Sequence, residues 1–191
     1  MIQLLAYGGL RIGEVLSLRR NDIVTGGQLV RVDERQAELG GRLDYDSPKS
    51  HQHRSVAVPE FLAVALVAHL AQDVGSDSSA LLFTGRTGQA LRYGSWRRWQ
   101  FLPAIAAAGL GHVTPHDLRA THGTWVADSH GVMAAAKRLG HSNANVTTRH
   151  YARAVDGRDG EIAASLGAER QRGLIARGTH VETIDGGWKR S

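Results

Sequence analysis

One helix start constrains the fold of this chain more than any other segment does. The stretch TPHDLR at residues 114–119 puts a threonine before a proline, with an aspartate three residues after the threonine. Threonine is a good helix N-cap, proline suits the first helical position, and the aspartate can accept a hydrogen bond from the cap. We therefore predict a helix over residues 115–129, with His116 and Arg119 one turn apart on one face.

His116 and Arg119 together suit a bound phosphate. The start of a helix carries partial positive charge, which favours an anion there. His116 can take up or release a proton near neutral pH, and Arg119 can hold two phosphate oxygens at once. Taken alone, the pair fits an exposed histidine and a solvated arginine better, so further residues are needed to decide.

Two segments in the first third of the chain extend this set. Arg11 follows a Gly-Gly-Leu turn at the predicted start of another helix, where Glu14, one turn on, can orient it through an ion pair. Lys49 lies at the tip of a predicted hairpin, from which its ammonium group can protonate a leaving oxygen on a bound duplex. Taken singly, Arg11 and Glu14 fit an exposed ion pair, and Lys49 fits a solubilising turn residue.

A histidine and a tyrosine later in the chain complete the candidate site. His141 follows Leu139-Gly140, a pattern typical of a helix end, and Tyr151 lies ten residues further on. A tyrosine that attacks phosphorus needs charge stabilisation of its phenolate, which nearby arginines supply. Two arginines, two histidines and one tyrosine would suit phosphoryl transfer without a metal, although Tyr151 alone fits a half-buried aromatic residue.

The hydrophobic periodicity predicts a mainly helical α+β fold with one small antiparallel three-stranded sheet. Besides the helix at 115–129, helical segments are predicted over residues 3–7, 11–18, 59–72, 93–108, 132–139, 144–153 and 158–166. Strands are predicted over residues 28–36, 42–48 and 54–58, with a short buried strand over 81–83. The strands over 42–48 and 54–58 would flank the hairpin that carries Lys49.

The composition of the chain limits which partners and cofactors are expected. The chain has 191 residues, a formal charge of +5 and a pI of about 10.1, and nearly all of its 23 basic residues are arginines. This favours a polyanionic partner, although GC-rich codon use explains the arginines equally well. The absence of cysteine fits a reducing cytoplasm, and no apolar run is long enough to cross a bilayer. No metal site is expected, because His112 and His116 lie on either side of a helix start.

Five segments in this order resemble the motifs of the tyrosine recombinases, the phage integrase family. AYGGLRIGEVLSL at residues 6–18 resembles the first motif, and PKS at 48–50 followed by RSVAVP at 54–59 resembles the β-hairpin lysine of the family. HDLRATH at 116–122 matches the His-x-x-Arg motif, while LGHS at 139–142 and TTRHYA at 147–152 resemble the last motif and the nucleophile. The similarity covers about residues 3–165 and implies a tyrosine recombinase catalytic-domain fold.

The resemblance implies a role for each candidate residue. Tyr151 would attack the scissile phosphate, form a 3′-phosphotyrosyl bond and release a 5′-hydroxyl, and the strand would be rejoined without ATP or metal. The others would serve that phosphate: Arg11 and Arg119 would hold its non-bridging oxygens, Lys49 would protonate the leaving oxygen, His116 would transfer protons, His141 would hydrogen-bond the phosphate, and Glu14 would support Arg11. The implied partners are double-stranded DNA and further copies of the chain in a tetrameric synapse, with no cofactor and no membrane.

The same resemblance sets expectations for domain organisation. Residues 1–167 would form the catalytic domain, and residues 168–191 a C-terminal tail that is flexible or docked on a neighbouring copy. The N-terminal DNA-clamping domain usual in the family, and the first helix of the catalytic domain, would be missing because Arg11 lies so close to Met1. We expect such a chain to keep the site and to lose target specificity.

Three functions are compatible with these residues, and a site-specific recombinase or integrase of a phage or mobile element leads. A type IB topoisomerase uses similar chemistry, and a non-catalytic remnant of a mobile element would bind DNA without the reaction. The full residue set argues against the remnant. A further DNA contact is predicted at Arg97 and Arg98, beside Trp96 and Trp99, although core tryptophans with solvated arginines explain this pattern equally well.

Overall fold

The computed structural model describes residues 1–33, 35–39, 42–46 and 54–140. Its helices are α1 (Ile2–Gly8), α2 (Ile12–Ser17), α3 (Glu60–Gln72), α4 (Tyr93–Trp96), α5 (Leu102–Ala107), α6 (Pro115–His130) and α7 (Val132–Leu139), with a 3-10 turn at Arg20–Asp22. Its strands are β1 (Ile23–Val24), β2 (Leu29–Val32), β3 (Arg35–Leu39), β4 (Arg42–Asp46) and β5 (Arg54–Ala57). The predicted α+β class is confirmed. The helices predicted over 144–153 and 158–166 and the tail lie outside the described residues.

The strands pair differently from the sequence prediction. A three-stranded antiparallel sheet is present, but its order is β1-β2-β5, with Val30 of β2 opposite Ile23 and Val56. β3 and β4 pair in a second sheet, with Gln36 opposite Tyr45. The single strand over 28–36 and the pairing of 42–48 with 54–58 were therefore wrong predictions, because alternation locates a strand without specifying its partner.

The start of α6 is built as the sequence predicts. Thr114 Oγ1 accepts a hydrogen bond from the Asp117 backbone N–H at 3.2 Å, and the Thr114 N–H donates to Asp117 Oδ2 at 2.8 Å. Hydrogen bonds that the Thr114 hydroxyl and backbone N–H donate to Oδ2 lower the pKa of the Asp117 carboxyl. α6 packs against both α1 and α7, so its buried face lies next to the part of the molecule where α2 begins.

The helix predicted over 93–108 is interrupted by a π-helical turn at Arg97–Phe101, between α4 and α5. Trp96 and Phe101, on either side of this turn, are fully buried with ring centroids 5.0 Å apart. A π turn adds a residue to the helical path and often marks a functional position. The short strand predicted over 81–83 was wrong, since Leu81 makes one isolated bridge to Arg19.

One hydrophobic core joins these elements. Its buried members come from α1, α2, the β1-β2-β5 sheet, α3 and the 93–107 helical region, and include Leu4, Leu5, Val15, Leu16, Val30, Val56, Leu62, Trp96 and Phe101. Each large apolar side chain removed from water contributes about 1.5–3 kcal/mol. Packing in this core holds the start of α2 and the strand β5 in place. No helix of the described residues has the length and apolar content needed to cross a bilayer.

Candidate active site

The turn between α1 and α2 places Arg11 at the start of a helix. Gly9 ends α1 with φ +66, and a Cβ at this position would lie 2.4 Å from Cδ2 of His122. A side chain is therefore excluded on both conformational and steric grounds. Arg11 is the N-cap of α2, and its backbone N–H donates to Glu14 Oε2 at 2.7 Å.

Glu14 joins three arginines that are far apart in the sequence. Its buried carboxylate accepts hydrogen bonds from Arg11 Nη1 at 3.1 Å and from Arg54 at 2.8 Å (Nη1 to Oε1) and 2.7 Å (Nη2 to Oε2). Arg119 Nη1 lies 4.0 Å from Glu14 Oε2. Sequence reasoning gave Glu14 only Arg11 as a partner, whether as its support or as an exposed ion pair. The structure makes Glu14 the buried centre of a four-residue group, which we call the clamp cluster.

The clamp cluster holds more positive than negative charge. Burial raises the pKa of the Glu14 carboxyl, but hydrogen bonds and charge from Arg54, aided by Arg11 and Arg119, lower it overall. Burial, together with the neighbouring charge of Arg11, lowers the pKa of Arg119 to about 9. Three guanidinium groups around one carboxylate leave a surplus of positive charge, and an anion bound beside them would offset the repulsion between Arg11 and Arg119.

Arg11 and Arg119 differ in their exposure. The Arg11 side chain is 45% exposed, whereas that of Arg119 is 3% exposed. Arg119 Nη1 donates to the Gly9 carbonyl, and Nη2 donates to the Leu139 carbonyl at 2.6 Å. These bonds anchor the buried guanidinium to the α1–α2 turn and to the end of α7. The structure therefore brings Arg11 and Arg119 to the same carboxylate, while their role on a phosphate stays a prediction.

The other predicted site residues are less fully described. His116 lies exposed on the first turn of α6, while Arg119, one turn later, points into the interior. Lys49, His141 and Tyr151 lie outside the described residues. Within the described ranges, no group of three or more His, Asp or Glu side chains is arranged to hold a metal ion.

Sequence reasoning missed Arg54, which makes the closest pair of contacts to Glu14. Arg54 lies on the same side of β5 as the buried Val56, and its side chain is only 13% exposed. A strand position that shares a face with a core valine predicts a buried side chain. An arginine at such a position requires an anionic partner, and this was the signal available in the sequence.

The region predicted to contact DNA presents one aromatic ring to solvent. Trp96 is in the core, whereas Trp99 is 70% exposed and the guanidinium carbon of Arg98 lies 4.9 Å from its ring centroid. Arg97 is half-buried and Arg98 is exposed, both within the π turn. Trp96 therefore belongs to the core and Trp99 to the surface, whereas both interpretations of the sequence treated the two tryptophans alike.

Comparison with known proteins finds relatives of this chain both in sequence and in structure. The sequence matches the phage integrase family over residues 1–158. It is 33% identical to the prophage phiRv2 integrase of Mycobacterium tuberculosis, covering 84% of this chain and 44% of that protein. It is 30% identical to the integrase of Mycobacterium phage FRAT1, covering 86% of this chain and 51% of that protein.

A solved structure shows the same fold. The Tn1549 transposon integrase, determined in complex with a circular intermediate DNA, superposes with a TM-score of 0.67 at 22% identity, covering 78% of this chain and 52% of that one. The chain spans about half the length of the relatives it matches. From the family match, the recombinase fold and the converging arginines, we conclude that this chain belongs to the phage integrase family.

Proposed function

We propose that this chain carries the catalytic site of a site-specific DNA recombinase, in which a tyrosine breaks and rejoins DNA. The observation that supports this most strongly is the clamp cluster, where Glu14 holds Arg11 and Arg119 around one centre with a surplus of positive charge. A phosphodiester is the anion that such a pair of guanidinium groups suits best. Membership of the phage integrase family supports the same reaction.

Arg11 and Arg119 form the phosphate clamp of this proposal. Arg11, half-exposed at the start of α2, and Arg119, buried beside it, would each contact a non-bridging oxygen of the same phosphate. Donors that are fixed before the reaction stabilise the charge that develops on phosphorus without reorganising. The Gly9 and Leu139 carbonyls supply this fixation for Arg119.

The chemical step is a transesterification that conserves the phosphodiester. Tyr151 Oη attacks phosphorus, the P–O5′ bond breaks, and a 3′-phosphotyrosyl bond forms. Lys49 protonates the departing 5′ oxygen, His116 takes part in proton transfer, and His141 donates a hydrogen bond to the phosphate. A 5′-hydroxyl of the partner duplex then reverses the step, so neither ATP nor a metal ion is required.

The proposed DNA contacts include the π turn as well as the clamp cluster. Arg98 and the exposed Trp99 form a cationic and aromatic surface, with Arg97 beside them. Such side chains suit backbone phosphates, which position a protein on DNA without reading its sequence. Exchange between two duplexes requires several active sites, so we propose that copies of the chain assemble on DNA as a tetramer.

The proposal is tested with a nicked suicide duplex that carries a binding site selected from random DNA. After cleavage, the short strand beyond the nick diffuses away and the covalent intermediate accumulates. We expect a protein–DNA band that forms in EDTA without ATP, resists denaturant, and disappears in Tyr151→Phe.

Three other results would redirect the proposal. DNA binding without a covalent band from the intact chain would indicate a DNA-binding remnant. Relaxation of supercoiled plasmid without strand exchange between duplexes would indicate a type IB topoisomerase. Retention of the band in Tyr151→Phe would show that another residue is the nucleophile.

A further inference from the structure

We propose that Arg54 is a positioning residue for the phosphate clamp, fixing the carboxylate that orients Arg11. The inference rests on the proposed recombinase function and deepens it. Arg54 lies at the start of β5 and contacts Glu14, the residue that the sequence analysis expects to support Arg11.

The bond between Arg54 and Glu14 sets the orientation of the carboxylate. Arg54 Nη1 and Nη2 donate to the two different oxygens of Glu14, at 2.8 and 2.7 Å. This two-point contact fixes the plane of the carboxylate as well as its position. Arg11 Nη1 and the Arg11 backbone N–H then bind the same two oxygens. By fixing the Glu14 carboxylate, Arg54 therefore sets the direction of the Arg11 side chain that is bound to it.

Arg54 also lies against the end of α7. Gly140 ends that helix with φ +63, and a Cβ at this position would lie 3.2 Å from Cδ and Nη1 of Arg54. The Leu139 carbonyl accepts a hydrogen bond from Arg119, and His141 follows Gly140 in the sequence. The same guanidinium thus supports α2 and the backbone that leads into the LGHS motif.

The strand that carries Arg54 connects this group to the lysine segment. β5 is held in the sheet by β2, with Arg54 opposite Val32. The preceding residues of the chain, 48–50, form the PKS segment that contains Lys49. Arg54 therefore binds α2 through Glu14 and lies near the end of α7, on a strand that follows the PKS segment in the sequence.

Stability alone does not explain an arginine here. In the described part of the chain, the Nε–H of Arg54 is buried without a hydrogen-bond partner, which costs about 1–3 kcal/mol. Buried ion pairs are often no more stabilising than apolar side chains of similar volume. What a guanidinium adds at this place is a rigid, planar contact with both carboxylate oxygens, which a lysine cannot reproduce.

The test measures single-turnover cleavage of the suicide duplex across a range of DNA concentrations, in Arg54→Lys and Arg54→Met. If Arg54 positions the clamp, the maximal rate falls by about 10- to 100-fold, because a supporting contact around a reactive group has been lost. The DNA concentration for half-saturation changes by less than about threefold, since phosphate contacts elsewhere are intact. Arg54→Lys recovers part of the rate by restoring the charge.

Arg20→Met is the matched control. Arg20 is also half-buried, but it donates to the Gly75 and Leu70 carbonyls at 2.7 and 2.6 Å, away from the clamp cluster. We expect its loss to lower the unfolding temperature and to leave the maximal cleavage rate within about twofold of wild type. In an Arg11→Ala background, Arg54→Met should add less than about a threefold loss, because the group it orients has been removed.

The outcomes separate this inference from the proposed function. If the wild type forms no covalent complex, both fail. If the wild type cleaves and both Arg54 variants reach its maximal rate, only the role of Arg54 is overturned. An equal loss of maximal rate in Arg20→Met, or full additivity with Arg11→Ala, would also overturn it. If Arg54→Met does not fold, Arg54→Lys decides by the same criterion.

Discussion

Arg119 and His122 lie one turn apart on α6, yet they belong to two polar groups with different kinds of partner. One group is centred on a carboxylate, and the other binds backbone carbonyls. Arg119 is part of the clamp cluster, in which the positive charges outnumber the single carboxylate. The second group, which we call the histidine bracket, consists of His122, Arg138 and the backbone carbonyls they bind. The comparison shows how the same residue types can serve either a ligand or the fold.

The histidine bracket satisfies its donors within the chain. His122 Nδ1 lies 3.0 Å from the Ala6 carbonyl, and Arg138 Nε donates to His122 Nε2 at 2.8 Å. Arg138 Nη2 donates to the Ala57 carbonyl, also at 2.8 Å. Burial, together with the charge of Arg138, lowers the pKa of His122 to about 4, so the ring is neutral at pH 7. The bracket ties α1, β5, α6 and α7 together through backbone carbonyls, and within the described residues its two side chains bind no carboxylate.

The largest difference between the two groups should be in catalysis. Arg11→Ala should reduce the rate of covalent complex formation by about 100- to 1,000-fold, as expected when a donor to developing charge is lost. Because Arg11 is 45% exposed, the free energy of unfolding should change by less than about 1 kcal/mol. Arg92→Ala, equally exposed and paired with Glu38, is the control and should cleave at the wild-type rate at saturating DNA. Equal losses in the two variants would contradict the assignment.

Gly9→Ala should break both groups at once. Its φ of +66 is unfavourable for alanine, and the new Cβ would overlap the His122 ring. The strain and the overlap together should lower the free energy of unfolding by about 3–4 kcal/mol, measured by urea denaturation. Gly26→Ala has a similar φ of +60 with no atom within 4 Å, so it should lose only about 1–2 kcal/mol. A Gly9→Ala protein as stable as Gly26→Ala would show that the His122 ring is not tightly held.

The histidine bracket should make stability depend on pH. His122 has a pKa of about 4 in the folded state against an ordinary 6.5, so between these values the unfolded chain binds a proton that the native chain does not. Stability should therefore fall as the pH drops from about 6.5 to 4, by at most about 3 kcal/mol, and this contribution should level off below pH 4. Denaturation across that range should show a shallower pH dependence in His122→Gln. Identical slopes for the two proteins would rule out the neutral buried ring.

The smallest effect is expected at the π turn, outside both groups. Arg97→Ala or Arg98→Ala should weaken DNA binding and reduce the slope of log K against log salt by about 1, without changing sequence preference. Fluorescence anisotropy at several salt concentrations measures this. Arg31→Ala, on β2, serves as the comparison for an exposed arginine bound to the Asn21 carbonyl. A slope unchanged from wild type would remove the π turn from the DNA surface.

Local sequence signals predicted the elements of the fold better than their pairing. The Thr114 cap and the span of α7 are determined by neighbouring residues, so short-range reasoning located them. The pairing of β5 with β2 joins segments separated by two further strands, and no local propensity specifies that choice. The π turn at Arg97–Phe101 likewise depends on how Trp96 and Phe101 both reach the core.

In the described part of the site, the sequence pointed to Arg11, Glu14 and Arg119 but not to the residues that hold them through long-range contacts. Arg11 and Arg119 have a recognisable pattern because phosphate chemistry limits the residue types that can serve. Arg54, His122 and Arg138 act through partners distant in sequence: a carboxylate, a ring and backbone carbonyls. Backbone carbonyls leave no signature in a sequence, so such contacts emerge only from the folded chain.

The most direct test of the account is a crystal structure of Tyr151→Phe bound to a duplex with its selected site. We expect guanidinium nitrogens of both Arg11 and Arg119 within about 3.2 Å of non-bridging oxygens of a single phosphate, with Glu14 still bound to Arg11 and Arg54. Arginines on two different phosphates, or an Arg119 that contacts only the Gly9 and Leu139 carbonyls while the scissile phosphate lies elsewhere, would contradict the shared clamp.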